Sequence, residues 1–304
     1  MLENMDNRTT GRRRMIRFSL AAVALCALFV GVSISLLLPK ARSAQRKMPE
    51  TQDVLFSVGS DFLPKPVSDD ALKRLSTLPG LRSARFVAIP LTDAQMEYFK
   101  DLHQLKRLQL CRTNVTDAGL KWIRGLIQLT DLAIEAGQQG HFTDKGLANL
   151  EPLTRLQTLE LSGTMVTDEG LSQLKSLTEL RLLDLSYAPL TGAGLKYLNG
   201  SKHLAELNLF STTSDDKGLE TLVAFPDLCR LNLFGTQVTD VGTRHIKALA
   251  ELTDLDLRFT KVTDGGLENF KGLTRLRHLR LEGTAVTPDG LRKLRRALPH
   301  CIIE

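Results

Sequence analysis

Cysteine and histidine are too few and too scattered in this chain to build most kinds of chemistry. Of four cysteines, Cys26 lies in an apolar run, while Cys111, Cys229 and Cys301 are far apart. Cys111 and Cys229 fall in different columns of an internal repeat, several units from each other. That excludes a bridge, because disulfide Cα atoms must approach within about 7 Å. The six histidines (His103, His141, His203, His245, His278, His300) stand in six different contexts, without a recurring Ser or Cys partner. No closely spaced Cys or His pair has zinc-ligand spacing. A glycine-rich phosphate loop after a strand is missing too, as is any carboxylate pair that stands outside the repeat. The sequence therefore predicts a protein that is not an enzyme and needs neither metal nor cofactor.

A surplus of basic charge is also missing from most of the chain. The net charge is +6, but nine of the 40 Lys and Arg and only two of the 34 Asp and Glu fall within residues 1–48. Residues 49–304 therefore carry 31 basic against 32 acidic side chains. A balanced domain of this kind withdraws the support that a pI near 9.2 gives to nucleic-acid binding.

What is present is repetition. Anchored on the leucine of a Thr-Asp-x-Gly-Leu phrase, one column reads Leu72, Met96, Leu120, Leu147, Leu171, Leu195, Leu219, Thr243, Leu267 and Leu291. Eight of its nine intervals are 24 residues and one is 27. A period in this range predicts a solenoid of stacked units. Within residues 153–174, Leu159-Glu160-Leu161 alternates as a short half-buried strand. Val166 then turns inward, Asp168 or Thr167 can cap a helix, and Leu171 and Leu174 form one stripe of a short helix. The Asp of each phrase (Asp117, Asp144, Asp168, Asp240, Asp264) is expected to cap its own helix. Thr113, Thr164, Thr236, Thr260 and Thr284 are expected to bond the backbone of the turn after each strand.

The phrase LxxLxLxxTxVTDxGLxxL resembles the leucine-rich repeat. It is similar to the subtype found in F-box leucine-rich proteins and in membrane-anchored repeat proteins of large-genome bacteria such as planctomycetes. The resemblance covers residues 67–304. It implies an α/β fold, a curved right-handed stack of strand, turn and short helix with a parallel sheet on its concave face. It also implies a binding scaffold, and leaves the ligand open.

Ahead of the repeats, Phe18–Leu38 is an uncharged, mostly apolar stretch of 21 residues. As a helix it spans roughly 30 Å, enough to cross a bilayer. Arg12, Arg13, Arg14 and Arg17 precede it and Pro39-Lys40 follows, so the flanking cations would meet anionic headgroups. This segment predicts a signal anchor, with a cleaved signal peptide as the rival. The charge bias leans towards a cytoplasmic N-terminus and repeats in the periplasm or cell envelope. The chain thus divides into a basic tail (1–17), a transmembrane segment (18–38), a polar tether or partial cap (39–66) and about ten repeat units (67–304). Val54-Leu55-Phe56 could pair onto the first unit as a cap.

Function must lie on side chains that the stack does not need. Residues flanking the strand leucines point to the open face of the sheet. One such column runs Glu160, Asp184, Asn208, Asn232, Asp256; another contains Phe210, Phe234 and Arg258. Phe210 and Phe234 should be neighbours on adjacent strands, with a polar rim, as in an interface hot spot. The candidate partner-binding residues are therefore Phe210, Phe234, Asn208, Asn232, Asp256, Arg258, Asp184 and Glu160, for a protein or peptide ligand. The insertion Ala136–His141 should bulge at one rim. Two other readings remain open. One is a cytoplasm-facing adaptor resembling F-box substrate receptors, and the other is a structural protein that self-associates through its C-terminal edge.

Overall fold

The computed structural model describes residues 52–57, 66–78, 80–135 and 142–304. The segment 18–38 with its basic flanks, most of the tether and the insertion 136–141 lie outside the described residues. Among the described residues, no helix is long and apolar enough to cross a membrane.

Each unit contributes one strand to a single parallel sheet of 11 strands in sequence order. These are β1 (Gln52–Ser57), β2 (Leu81–Val87), β3 (Arg107–Cys111), β4 (Asp131–Glu135), β5 (Thr158–Glu160), β6 (Leu182–Asp184), β7 (Glu206–Asn208), β8 (Arg230–Asn232), β9 (Asp254–Asp256), β10 (His278–Arg280) and β11 (Ile302–Ile303). Within 39–66, expected as a tether or partial cap, Val54-Leu55-Phe56 lies in β1, which pairs parallel to β2. Register keeps the repeat in line: Leu159, Leu183, Leu207, Leu231, Leu255 and Leu279 are successive Cα partners. All six are buried in one core that runs the length of the stack. No unit has a core of its own; burial comes only from its neighbours.

The return segments are shorter and tighter than ordinary helices. Most are 3-10 turns such as Gly119–Ile123 and Gly170–Leu174. The α-helices are α1 (Asp69–Ser76), α2 (Asp144–Leu147), α3 (Asp240–Ile246), α4 (Asp264–Leu267) and α5 (Pro288–Ala297). A 24-residue unit leaves room for one or two turns, where 3-10 geometry is common. The threonine column behaves as expected. Thr164, Thr236, Thr260 and Thr284 donate their hydroxyls to the carbonyls of Leu161, Leu233, Leu257 and Leu281 at 2.6–2.7 Å.

The aspartates do not. Asp144 was expected to cap its own helix, but its carboxylate reaches the following coil and accepts the Thr167 N–H at 2.8 Å and hydroxyl at 2.6 Å. The same pair recurs as Asp93–Thr116, Asp117–Thr143, Asp168–Thr191, Asp216–Thr239, Asp240–Thr263 and Asp264–Thr287. The helix cap is the threonine, whose Oγ1 also accepts an N–H from its own first turn, as Thr239 does from Val241. The glycine makes room for the incoming carboxylate: a Cβ on Gly170 would lie 1.9 Å from Asp144 Oδ1. The Thr-Asp-x-Gly phrase is therefore a contact between units, with Asp supplied by one coil and Thr and Gly by the next.

Two departures obey the same logic. Gln95 stands where later units have glycine, and it takes over the seam. Its Oε1 accepts the Thr92 N–H, while its Nε2 donates to Asp69 and to the Val67 carbonyl. Further along, Gly192 (φ +88°) replaces the aspartate, and the next coil replaces the threonine with Asp215. Asp215 caps its own turn by accepting the Gly218 N–H. One junction has exchanged both partners together.

Candidate binding face

The helix row and the seam occupy one side of each coil, which leaves the other face of the sheet open. Phe210 and Phe234 lie there on neighbouring units, with centroids 4.5 Å apart and planes within 17°. Strands in a sheet are about 4.8 Å apart, so parallel rings this close overlap face to face. They stand on the sheet like plates and present their edges to solvent. Two further aromatics extend the row. Tyr187 meets Phe210 edge-on at 5.0 Å, and Phe259 meets Phe234 at 5.0 Å with a 53° tilt. Phe210 and Phe234 are half-buried by this company, whereas Phe259 is 53% exposed and Tyr187 is 39% exposed.

Tyr187 and Phe259 were not singled out from the sequence, and their backbone explains why. Both fall just after the strand alternation ends, at a position in left-handed conformation (φ 61° and 55°). In other described units that place holds Ala88, Arg112, Gly163, Ser211, Gly235 or Gly283. The N–H there continues the ladder, from Tyr187 to the Phe210 carbonyl and from Phe259 to the Glu282 carbonyl. A bulky side chain in this conformation costs roughly 1–2 kcal/mol. Phe259 also needs a small neighbour, because a Cβ on Gly283 would lie 2.6 Å from its ring. An aromatic in a column whose other members are mostly small was the signal available in the sequence.

The polar column is less open than the alternation suggests. Asp184 and Asp256 are buried, at 8% and 6% exposure. Their side chains turn back on the backbone: Asp184 accepts the Ser186 N–H, Asn208 that of Phe210, Asn232 that of Phe234 and Asp256 that of Arg258. Each thereby fixes the residue two places on, which for Asn208 and Asn232 is an aromatic of the row. Asp184 Oδ2 also takes the Asn208 amide at 2.9 Å. Asn232 Nδ2 has no acceptor among the described residues. Arg258 lies 5.0 Å over the Phe234 ring and donates to Asp256 at 2.6 Å. Those hydrogen bonds hold its pKa above the ordinary arginine value.

The face is electrostatically lopsided. Glu160 on β5 is directly beside Asp184 on β6. Among the described residues neither has an ion-pair partner, whereas Glu135 has Arg112. Burial, followed by the charges of Asp184, Asp131 and Glu135, pushes the Glu160 carboxyl up from its ordinary value. Burial, followed by the charges of Glu135 and Glu160, pushes the Cys111 thiol up to about 11, which leaves it protonated and a poor nucleophile at neutral pH. At the other end Arg258 is matched by Asp256, and Arg280 by Glu304. The candidate residues thus form one contiguous strip, with two carboxylates lacking an ion-pair partner at one end, aromatics in the middle and an internally matched ion pair at the other.

Comparison with known proteins follows the same lines. A family described as leucine-rich repeat region matches residues 70–298. Among solved structures the chain is similar to an internalin (inlF) of Listeria monocytogenes, with TM-score 0.64 and 18% identity over 79% of this chain and 70% of that one. It is also similar to a leucine-rich repeat protein of Leptospira interrogans, with TM-score 0.53 and 19% identity over 76% and 68% of the two chains. A third is the leucine-rich repeat ectodomain of the plant membrane receptor kinase GASSHO1/SCHENGEN3 from Arabidopsis thaliana, solved in complex with Casparian strip integrity factor 2. It has TM-score 0.51 and 19% identity, covering 76% of this chain but only 28% of that one. Identities this low speak to the fold alone. No curated protein is matched by the sequence.

Proposed function

The chain belongs to the leucine-rich repeat family, and on that premise we propose that it is a non-enzymatic binding module that takes a protein or peptide partner on the open sheet face. Domains of this fold commonly bind proteins. The observation that carries the reading is the pair Tyr187 and Phe259. Both are exposed aromatics at a left-handed backbone position that other described units fill with Ala88, Arg112, Gly163, Ser211, Gly235 and Gly283, and both extend the row of rings on the open face of the sheet. Strained backbone that carries an exposed aromatic on an open face points to recognition.

In the same reading the apolar run 18–38 and its flanking arginines tether the module to a lipid bilayer. The repeats then lie on the extracytoplasmic side, in periplasm or envelope. The run's length and the arginines packed against its N-terminal end support this. A C-terminal reporter fusion active only outside the cytoplasm is the expected result, and one active only inside would reverse the orientation. For the binding face, the test is crosslinking in native membranes with Phe210→Ala/Phe234→Ala beside wild type. Partners captured by wild type should be lost from the variant; equal capture by both would refute the face.

A further inference from the structure

The strip on the sheet face is polar in one direction, and that direction specifies a ligand. Glu160 and Asp184 are adjacent across β5 and β6 with no cation on either. Like charges facing each other across strands are destabilising. Neither residue is needed by the leucine ladder, since the corresponding place on the neighbouring strand β4 is Ala133. Both oxygens of Asp184 are committed to Ser186 and Asn208. Glu160 is therefore the group left to meet a ligand, with Asp184 supplying field. Two carboxylates on a flat sheet fall well short of the six to eight oxygens of a calcium site. No group of three or more possible ligands stands together among the described residues.

The rings beside them narrow the class further. Phe210 and Phe234 spend their faces on each other, and Arg258 and Phe259 close in on Phe234. Sugar recognition by stacking needs an open ring face, which the central pair lacks. Ring edges suit apolar side chains lying across them. Asn232 Nδ2 is a spare donor within the row, placed for a main-chain carbonyl. From β5 to β9 the strip runs about 19 Å at about 4.8 Å per strand, the length of roughly six residues of extended peptide.

We propose that this face, read as the binding site above, takes an extended peptide segment that crosses the strands, with a Lys or Arg side chain at Glu160 and apolar side chains over Tyr187, Phe210, Phe234 and Phe259. Alternation along the peptide gives the pattern cation-x-apolar-x-apolar, with the intervening residues facing solvent. The cation relieves the repulsion between Glu160 and Asp184. The other end makes no such demand, because Arg258 is already held by Asp256.

The test uses the full-length chain in detergent and four labelled synthetic decapeptides read by fluorescence anisotropy. One has the pattern Arg-x-Leu-x-Phe, one replaces Arg by Glu, one replaces Arg by Gln, and one scrambles the order. The Arg peptide should bind at least tenfold more tightly than the other three, with a preference that shrinks at high salt. Glu160→Gln should abolish the preference for Arg over Gln, the Arg peptide falling to the affinity of the Gln peptide. If Arg and Gln peptides bind equally to wild type but Phe210→Ala/Phe234→Ala loses both, the cationic pocket is wrong and the aromatic face stands. If the aromatic variant binds the Arg peptide as wild type does, both fall. Displacement of the Arg peptide by a neutral oligosaccharide would overturn the peptide assignment.

Discussion

The turn side and the sheet face of this solenoid are built from the same 24-residue unit, yet they vary in opposite ways. At the seam, seven junctions among the described residues repeat one contact, an Asp of one coil holding the Thr N–H and hydroxyl of the next. It departs in two ways: at the first junction Gln95 bridges an unchanged Asp69 and Thr92, and at another both partners change together, as Gly192 and Asp215 do. On the sheet face, neighbouring strands carry Ala133, Glu160, Asp184, Asn208 and Asn232 in register, and the left-handed place runs Ala88, Arg112, Gly163, Tyr187, Ser211, Gly235, Phe259 and Gly283. Repetition marks what stacking requires. Irregularity that carries a conformational cost marks what something outside the stack requires.

The comparison breaks most visibly at the seam. Gly170→Val would drive a branched side chain into the Asp144 carboxylate and should cost about 3 kcal/mol of stability. Urea denaturation measures it, and a loss below about 1 kcal/mol would mean that the seam is slack. The exchanged junction sharpens the point. Gly192→Asp alone should cost about 2 kcal/mol, from the left-handed backbone and from repulsion by Asp215. Adding Asp215→Thr should recover at least half of that. A double-mutant cycle with no coupling would show that the two positions changed independently.

The two sides should also respond differently to acid. Hydrogen bonds from the Thr287 hydroxyl and N–H lower the Asp264 carboxyl. Its stabilisation is therefore present above the unfolded aspartate pKa and is lost only as pH falls through the lower folded value. Glu160 is raised by burial and by Asp184, Asp131 and Glu135, with Arg85 opposing. It takes up its proton earlier as pH falls. Acidification should thus weaken binding of the Arg peptide by about tenfold (roughly 1.4 kcal/mol) before the stack loosens. Anisotropy and circular dichroism along one titration measure the order; simultaneous loss would contradict it. The smallest effect belongs to Phe259→Gly. Relief of the left-handed strain roughly offsets the lost ring contact and the added chain entropy, so stability should move by no more than about 0.5 kcal/mol. A loss above about 2 kcal/mol would make that ring part of the fold.

Much of this architecture was legible in the chain. The leucine spacing gives the strands and their register, and the threonine column gives the turn bonds. What the sequence concealed lies between units or outside regular geometry. Asp144 reads as a cap for the helix it opens because a single unit shows no partner 23 residues away. Asp184 and Asp256 read as surface because alternation places them on the open side, yet a short polar side chain there bends back to its own backbone. Tyr187 and Phe259 escaped because they lie beyond the strand, where a left-handed turn aims them at rings that alternation placed one residue earlier.

The aromatic face should be separable from the stack. The most direct measurement takes Phe210→Ala/Phe234→Ala and records urea stability and Arg-peptide affinity on the same sample. Removing two half-buried rings should leave a cooperatively folded chain within about 2 kcal/mol of wild type while affinity falls by at least a hundredfold. A variant that unfolds, or one that keeps its affinity, would contradict the claim.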